Sequence, residues 1–101
     1  MHQTNLVHGY TPQGEPNIKY VGETNVRIGR RVQEHATWDK NSAIYRYSCE
    51  NEQSVGMQNF KILESGYPKT LDRKIAEALH IKDLSPTLNG KKNIYKLKLL
   101  N

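Results

Sequence analysis

The chain has 101 residues, 36% of them hydrophobic, and 15 Lys and Arg against 10 Asp and Glu give it a formal net charge of +5. Its lone cysteine, Cys49, excludes an intrachain disulfide and a cysteine-based zinc site. No apolar run approaches the roughly 20 residues of a membrane span, and the N-terminus is too polar for a signal peptide, so we expect an intracellular protein of the cytoplasm or nucleus without a membrane partner.

This length suits one domain, which we expect to cover residues 1–101, with a core at about 5–90 and a basic C-terminal tail at 91–101. The basic balance favours a polyanionic partner, nucleic acid first. The alternatives are a charged surface that only maintains solubility, or a protein-interaction domain whose basic tail binds an acidic partner.

The N-terminal part predicts a hairpin followed by a helix. Residues 6–10 and 18–21 suit two strands, joined by a loop rich in proline and glycine. A helix over about 26–36 is expected, with Thr24 or Asn25 as its N-cap. Its buried stripe would be formed by apolar residues at i, i+4 and i+8, namely Ile28, Val32 and Ala36.

The following segment is ambiguous, since Ser42 suits the N-cap of a short helix while the residues after it also suit a strand. A third strand is predicted at 57–63 and a second long helix from about 70 to 82. The apolar residues Leu71, Ile75, Ala78 and Leu79 predict the buried stripe of that helix. Glu77 falls outside this stripe, so packing does not require it.

Five residues have the chemistry needed to handle a phosphodiester. An arginine fork matches phosphate oxygens, a carboxylate holds a divalent ion that polarises the phosphate, and tyrosine or histidine moves a proton. Each residue also has an ordinary structural role, such as a solvent-exposed ion pair, a helix-end charge or a turn. The candidates are Tyr20, Arg31, His35, Glu77 and Asn89.

Four sequence elements occur in an order that resembles the GIY-YIG endonuclease family. They are YVGET at 20–24, then Arg31 and His35, then KIAEALHI carrying Glu77, then SPTLN ending at Asn89. The resemblance covers roughly residues 18–90. It is closest to the GIY-YIG domains attached to some reverse-transcriptase-bearing mobile elements.

The resemblance implies an α/β (α+β) fold in which helices flank a small three-stranded antiparallel sheet. It also implies DNA cleavage that depends on Mg²⁺ or Mn²⁺. Glu77 would bind the metal and Arg31 the scissile phosphate, and Tyr20 would be the general base or position the water. His35 would assist phosphate binding or proton transfer, and Asn89 would hold the local structure or the substrate.

The first signature of the family, Gly-Ile-Tyr, has its nearest counterpart in His8-Gly9-Tyr10, and this makes Tyr10 a further catalytic candidate. The divergence of this signature leaves a catalytically impaired nucleic-acid-binding module as the alternative. We expect weak sequence specificity, with a targeting partner or a homodimer for double-strand cleavage. The expected substrate contacts, beside Asn89, are Gly22, Arg27, Arg30, Lys91 and Lys92.

Overall fold

The computed structural model describes residues 4–37 and 42–89. Lys91, Lys92 and the rest of the basic tail lie outside these described residues. The elements, in chain order, are β1 (Leu6–Tyr10), β2 (Tyr20–Thr24), α1 (Ile28–Thr37), α2 (Ala43–Glu50), a 3₁₀ turn (Met57–Asn59), β3 (Phe60–Ser65) and α3 (Thr70–Leu84).

The three strands form an antiparallel sheet in the order β2-β1-β3, which confirms the expected fold class. All five residues of β1 are buried, because this strand is paired on both sides and covered on both faces. Side chains alternate between the two faces of a strand. On one face Leu6 packs with Ile28 and Val32 of α1. On the other face Val7 and Val21 pack with α3. Helices α1 and α3 therefore cover opposite faces.

Local hydrogen bonds explain where the observed boundaries depart from the expected ones. The Thr24 hydroxyl accepts a hydrogen bond from the Val26 amide at 3.1 Å and forms a turn. Helix α1 therefore begins at Ile28, after this turn. The Asn59 side chain accepts from the Gly56 amide at 3.0 Å and closes the 3₁₀ turn where β3 was expected to begin. Ser42 accepts from the Tyr45 amide, so the helical alternative for this segment is correct.

The buried face predicted for α3 is correct for Ala78 but wrong for Leu71 and Leu79, which are 63% and 54% exposed. The buried residues of α3 are Arg73, Ala76, Glu77, Ala78 and Ile81. This face keeps a helical period but places two charged side chains against the sheet. Polar contacts, which a count of apolar residues does not detect, set the rotation of the helix.

Arg73 makes those contacts and is only 3% exposed. Its Nε donates to Glu23 Oε2 at 3.0 Å. Its Nη1 donates to Asn5 Oδ1 and to the carbonyl oxygens of Tyr67 and Pro68 at 2.9–3.0 Å. One guanidinium thus joins β2, the residue before β1 and the loop that enters α3.

Glu23 lies between two cations, since Lys74 Nζ approaches its other oxygen at 2.9 Å. Burial acts to raise the pKa of Glu23, but hydrogen bonds from Lys74 and Arg73 outweigh it and hold the pKa below its usual value.

Replacing Arg73 with Met should lower the free energy of unfolding by about 3–5 kcal/mol, because Glu23 and two loop carbonyls lose their buried partner. Urea denaturation followed by circular dichroism measures this loss. Lys74→Met is the matched control. Its side chain is 38% exposed, and removing its ion pair should cost less than about 1 kcal/mol. Equal losses in the two variants would contradict the role assigned to Arg73.

Candidate functional site at the edge of the sheet

Five rings from all three strands and α1 form one cluster on the α1 face of the sheet. The centroids of His8, His35 and Phe60 lie 5.7–6.1 Å from one another. The Tyr20 ring lies 6.1 Å from His35, and the Tyr10 ring lies 5.3 Å from Phe60. The fold therefore brings Tyr20 and His35 together, as expected for two residues of one site.

Gly22 makes room for this cluster. It is paired with His8 in the sheet. A Cβ at residue 22 would lie 2.9 Å from His8 Cε1 and 3.0 Å from Tyr20 Cε1, so both rings lie directly over the glycine. Gly22 is inside β2, which continues to Thr24 instead of ending at the glycine. The observed role of Gly22 is therefore close packing, and its expected contact with substrate stays a prediction.

Both histidines are buried and neutral near pH 7. His8 is fully buried, and neither ring nitrogen has a hydrogen-bond partner among the described residues. His35 Nδ1 is hydrogen-bonded to Ser42 Oγ, which leaves Nε2 without a described partner. Burial first, and the positive charge of Arg31 second, lower the pKa of His8 to about 4 and that of His35 to about 3. A neutral imidazole keeps a lone pair that can accept a proton.

Arg31 lies on the exposed side of the cluster, with 26% of its side chain accessible. Its Nη1 donates to Glu34 Oε1 at 3.0 Å, while Arg30 Nε lies 3.6 Å from the other Glu34 oxygen. The ordinary role considered for Arg31, a pair with Glu34, is therefore present. A guanidinium has five N–H donors, so pairing with one carboxylate oxygen is compatible with binding a phosphate. Arg27, immediately before α1, and Arg30 are both exposed.

Glu77 lies on α3, on the opposite face of the sheet from His35 and Arg31, and is 8% exposed. The sequence placed Glu77 outside the buried stripe of α3, whereas the structure buries it. Because α3 packs chiefly on the edge strand β2, Glu77 and the ring cluster flank the same strand from its two faces. Within residues 4–37 and 42–89, no three His, Cys, Asp or Glu side chains gather to hold a metal ion.

The donor chemistry of Glu77 nevertheless fits the expected ion. Mg²⁺ binds through one or two carboxylates and takes its other ligands from water and substrate phosphate. A single carboxylate is therefore a sufficient protein ligand set for this metal.

Asn89 closes the outer edge of β2. Its Oδ1 accepts from the Val21 amide and its Nδ2 donates to the Val21 carbonyl, both at 2.8 Å. The Leu88 amide adds a bond of 2.8 Å to the Lys19 carbonyl. Of the two roles expected for Asn89, the structural one is thus observed.

The residue that sequence analysis missed is His8. The sequence feature that could have indicated it is a histidine in the middle of an otherwise apolar strand, LVHGY. That the ring lies over Gly22 is evident only from the pairing of this strand with β2. Ser42 was expected to cap a helix and does so, but it also holds His35, and the sequence did not predict this second role.

Comparisons with protein-family models, curated proteins and solved structures give no match to this chain. None of the helices in the described part is long and apolar enough to cross a membrane.

Gly22→Ala should destabilise the protein by about 1–3 kcal/mol, because the new methyl group would overlap the His8 and Tyr20 rings. Gly29→Ala, in α1, is the control. A Cβ there meets no atom within 4 Å, and alanine should stabilise the helix by up to about 1 kcal/mol. Thermal unfolding of the two variants measures the difference, and a Gly22→Ala protein as stable as Gly29→Ala would contradict the packing described.

Acidification should destabilise the fold through His8 and His35. Their folded-state pKa values, about 4 and about 3, lie below 6.5, the ordinary pKa of histidine, so the unfolded chain binds more protons than the folded one between these pH values. The stabilisation is complete above pH 6.5 and is lost as the pH falls toward 4 and then 3. Between pH 6.5 and 5.5 each histidine should cost about 1 kcal/mol.

Urea denaturation at several pH values checks this slope. The His8→Phe variant keeps a ring but cannot take up a proton, so it should show about half of the wild-type loss over the same interval. Identical slopes for the two proteins would mean that His8 does not titrate as described.

Proposed function

We propose that this protein is a metal-dependent endonuclease that hydrolyses DNA phosphodiester bonds at the outer edge of β2. The observation that carries the proposal is the contact between the rings of Tyr20 and His35, 6.1 Å apart, beside the cationic Arg31. A cation, a phenol and a neutral imidazole together supply phosphate attraction and proton transfer.

Arg31 binds the non-bridging oxygens of the scissile phosphate while keeping its contact with Glu34. Tyr20 orients the attacking water, and the lone pair of His35 Nε2 accepts a proton from it. The hydrogen bond between His35 Nδ1 and Ser42 fixes the orientation of the imidazole. The positive charge of Arg31 is one of the causes that lower the pKa of His35. A phosphate bound to Arg31 offsets this charge, so the pKa of His35 rises and the imidazole becomes a stronger base at the moment of reaction.

Glu77 holds the Mg²⁺ or Mn²⁺ ion. When bound, such an ion stabilises negative charge on the phosphate and on the leaving oxygen. Low exposure of Glu77 keeps its carboxylate in one place against the sheet. Asn89 keeps the backbone of β2, and with it the position of Tyr20, in register.

A second candidate function is a nucleic-acid-binding module without cleavage. The observation that favours it is the position of Tyr10, which is 1% exposed and packs against Phe60. Burial, with a smaller contribution from Tyr47, raises the pKa of Tyr10. A tyrosine held in this way serves the core, so the catalytic role expected from the first signature would be missing.

In both candidates DNA is the partner, and exposed Arg27 and Arg30 contact its backbone without reading sequence. A domain of this size leaves little surface for sequence readout, so specificity comes from a targeting partner. A homodimer would supply a second active site, so that both strands could be cut in one binding event. We place the protein in the cytoplasm or nucleus.

Plasmid cleavage separates the two candidates. Wild-type protein should nick supercoiled DNA in Mg²⁺ or Mn²⁺ and not in EDTA. Glu77→Gln should lower the rate by more than about 100-fold, as loss of a principal charge-stabilising group does, with DNA affinity nearly unchanged. Glu50→Gln, an exposed glutamate on α2, is the matched control and should cleave normally. Salt-sensitive DNA binding without any cleavage would establish the binding module instead.

A further inference from the structure

A cavity of about 560 Å³ lies where the N-terminal end of β2 meets the C-terminal end of α3. This volume is within the range of small-ligand sites. Lys19 and Lys61 are the charged residues of its described lining, and hydroxyl and amide side chains make up most of the rest. The other lining residues are Thr11, Pro16, Asn17, Ile18, Leu84, Ser85 and Thr87.

The sheet register directs both lysines to one face. Lys61 is paired with Gly9 in the sheet, and Lys19 precedes Tyr20, so both side chains leave the strands on the α3 side. The end of α3 carries a partial negative charge that attracts cations.

Three other cavities of the described chain have balanced charges. A cavity of about 430 Å³ combines Arg31 and Arg73 with Glu23 and Glu34. One of about 280 Å³ pairs Arg46 with Glu50, and one of about 480 Å³ includes Lys82 and Asp83. Two lysines without an acid in the lining instead favour an anionic ligand.

The cavity borders the outer edge of β2. Ser85 and Thr87 line it, and the same short segment continues to Leu88 and Asn89, which bond to the Lys19 carbonyl and to Val21. A strand of nucleic acid that crosses this edge from Tyr20 on the α1 face toward the α3 face therefore meets Lys19, the residue that precedes Tyr20.

We propose that this cavity binds a backbone phosphate of the nucleic acid, flanking the phosphate at Arg31, through Lys19 and Lys61. The inference rests on the proposed nucleic-acid substrate and names a contact that the sequence did not assign. Lysine binds phosphate as a point charge, so the contact positions the strand without reading its bases.

The test measures the affinity of a short DNA duplex by fluorescence anisotropy over a range of KCl concentrations, in EDTA so that no cleavage occurs. The Lys19→Gln/Lys61→Gln double variant should show a plot of log affinity against log salt that is shallower by about 0.9, the change expected when one phosphate contact is lost. Lys69→Gln/Lys82→Gln, which removes the same charge from two exposed lysines of the α3 region, should change the slope by less than about 0.5.

The proposal would be overturned if the two double variants had equal slopes of log affinity against log salt. It would also be overturned if Lys19→Gln/Lys61→Gln lost folding stability but kept the wild-type slope. Competition by a mononucleotide as strong as that by the duplex, at matched ionic strength, would overturn the assignment to a polynucleotide backbone. Binding that depends on Lys19 and Lys61 in a protein that never cleaves DNA would support the cavity and reject the nuclease. Absence of DNA binding by the wild type would reject both.

Discussion

The guanidinium of Arg73 is the contact on which the arrangement of this domain depends. A cation removed from water is tolerated only when its donors are satisfied, and here a carboxylate, an amide and two loop carbonyls satisfy them. The pair with Glu23 fixes α3 against β2, and this rotation carries Glu77 to the sheet and turns Leu71 and Leu79 to solvent. A polar contact thus decides which face of an apolar-patterned helix is buried.

The ring cluster on the other face is governed by a different constraint, the absence of one methyl group. Gly22 lets an imidazole from the central strand lie on the backbone of the edge strand, and His35 and Phe60 complete the packing. The energetic cost is a buried histidine with no described partner for either nitrogen. Such a cost is more often found at sites of chemistry than in ordinary cores, since polar groups there are kept ready for a ligand.

The sequence predicted the elements well where the local signal was strong. The sheet class is confirmed, and of the two alternatives for the segment after Ser42 the capped helix is correct, because strand alternation and helix capping are local properties. It failed for Glu77, whose burial depends on a partner of Arg73 that lies 50 residues away in the chain. It also failed for His8, since strand register is not a property of either strand alone.

The amide of Asn89 has a consequence for the behaviour of this protein in a crowded solution. An unpaired edge strand offers its N–H and C=O groups to any extended chain that meets it, and this is a common route to aggregation. On β2 the side chain of Asn89 occupies both groups of Val21 with the pattern that a neighbouring strand would use. One side chain therefore takes the place of a neighbouring strand at this residue, which protects the outer edge of β2 from pairing with another polypeptide.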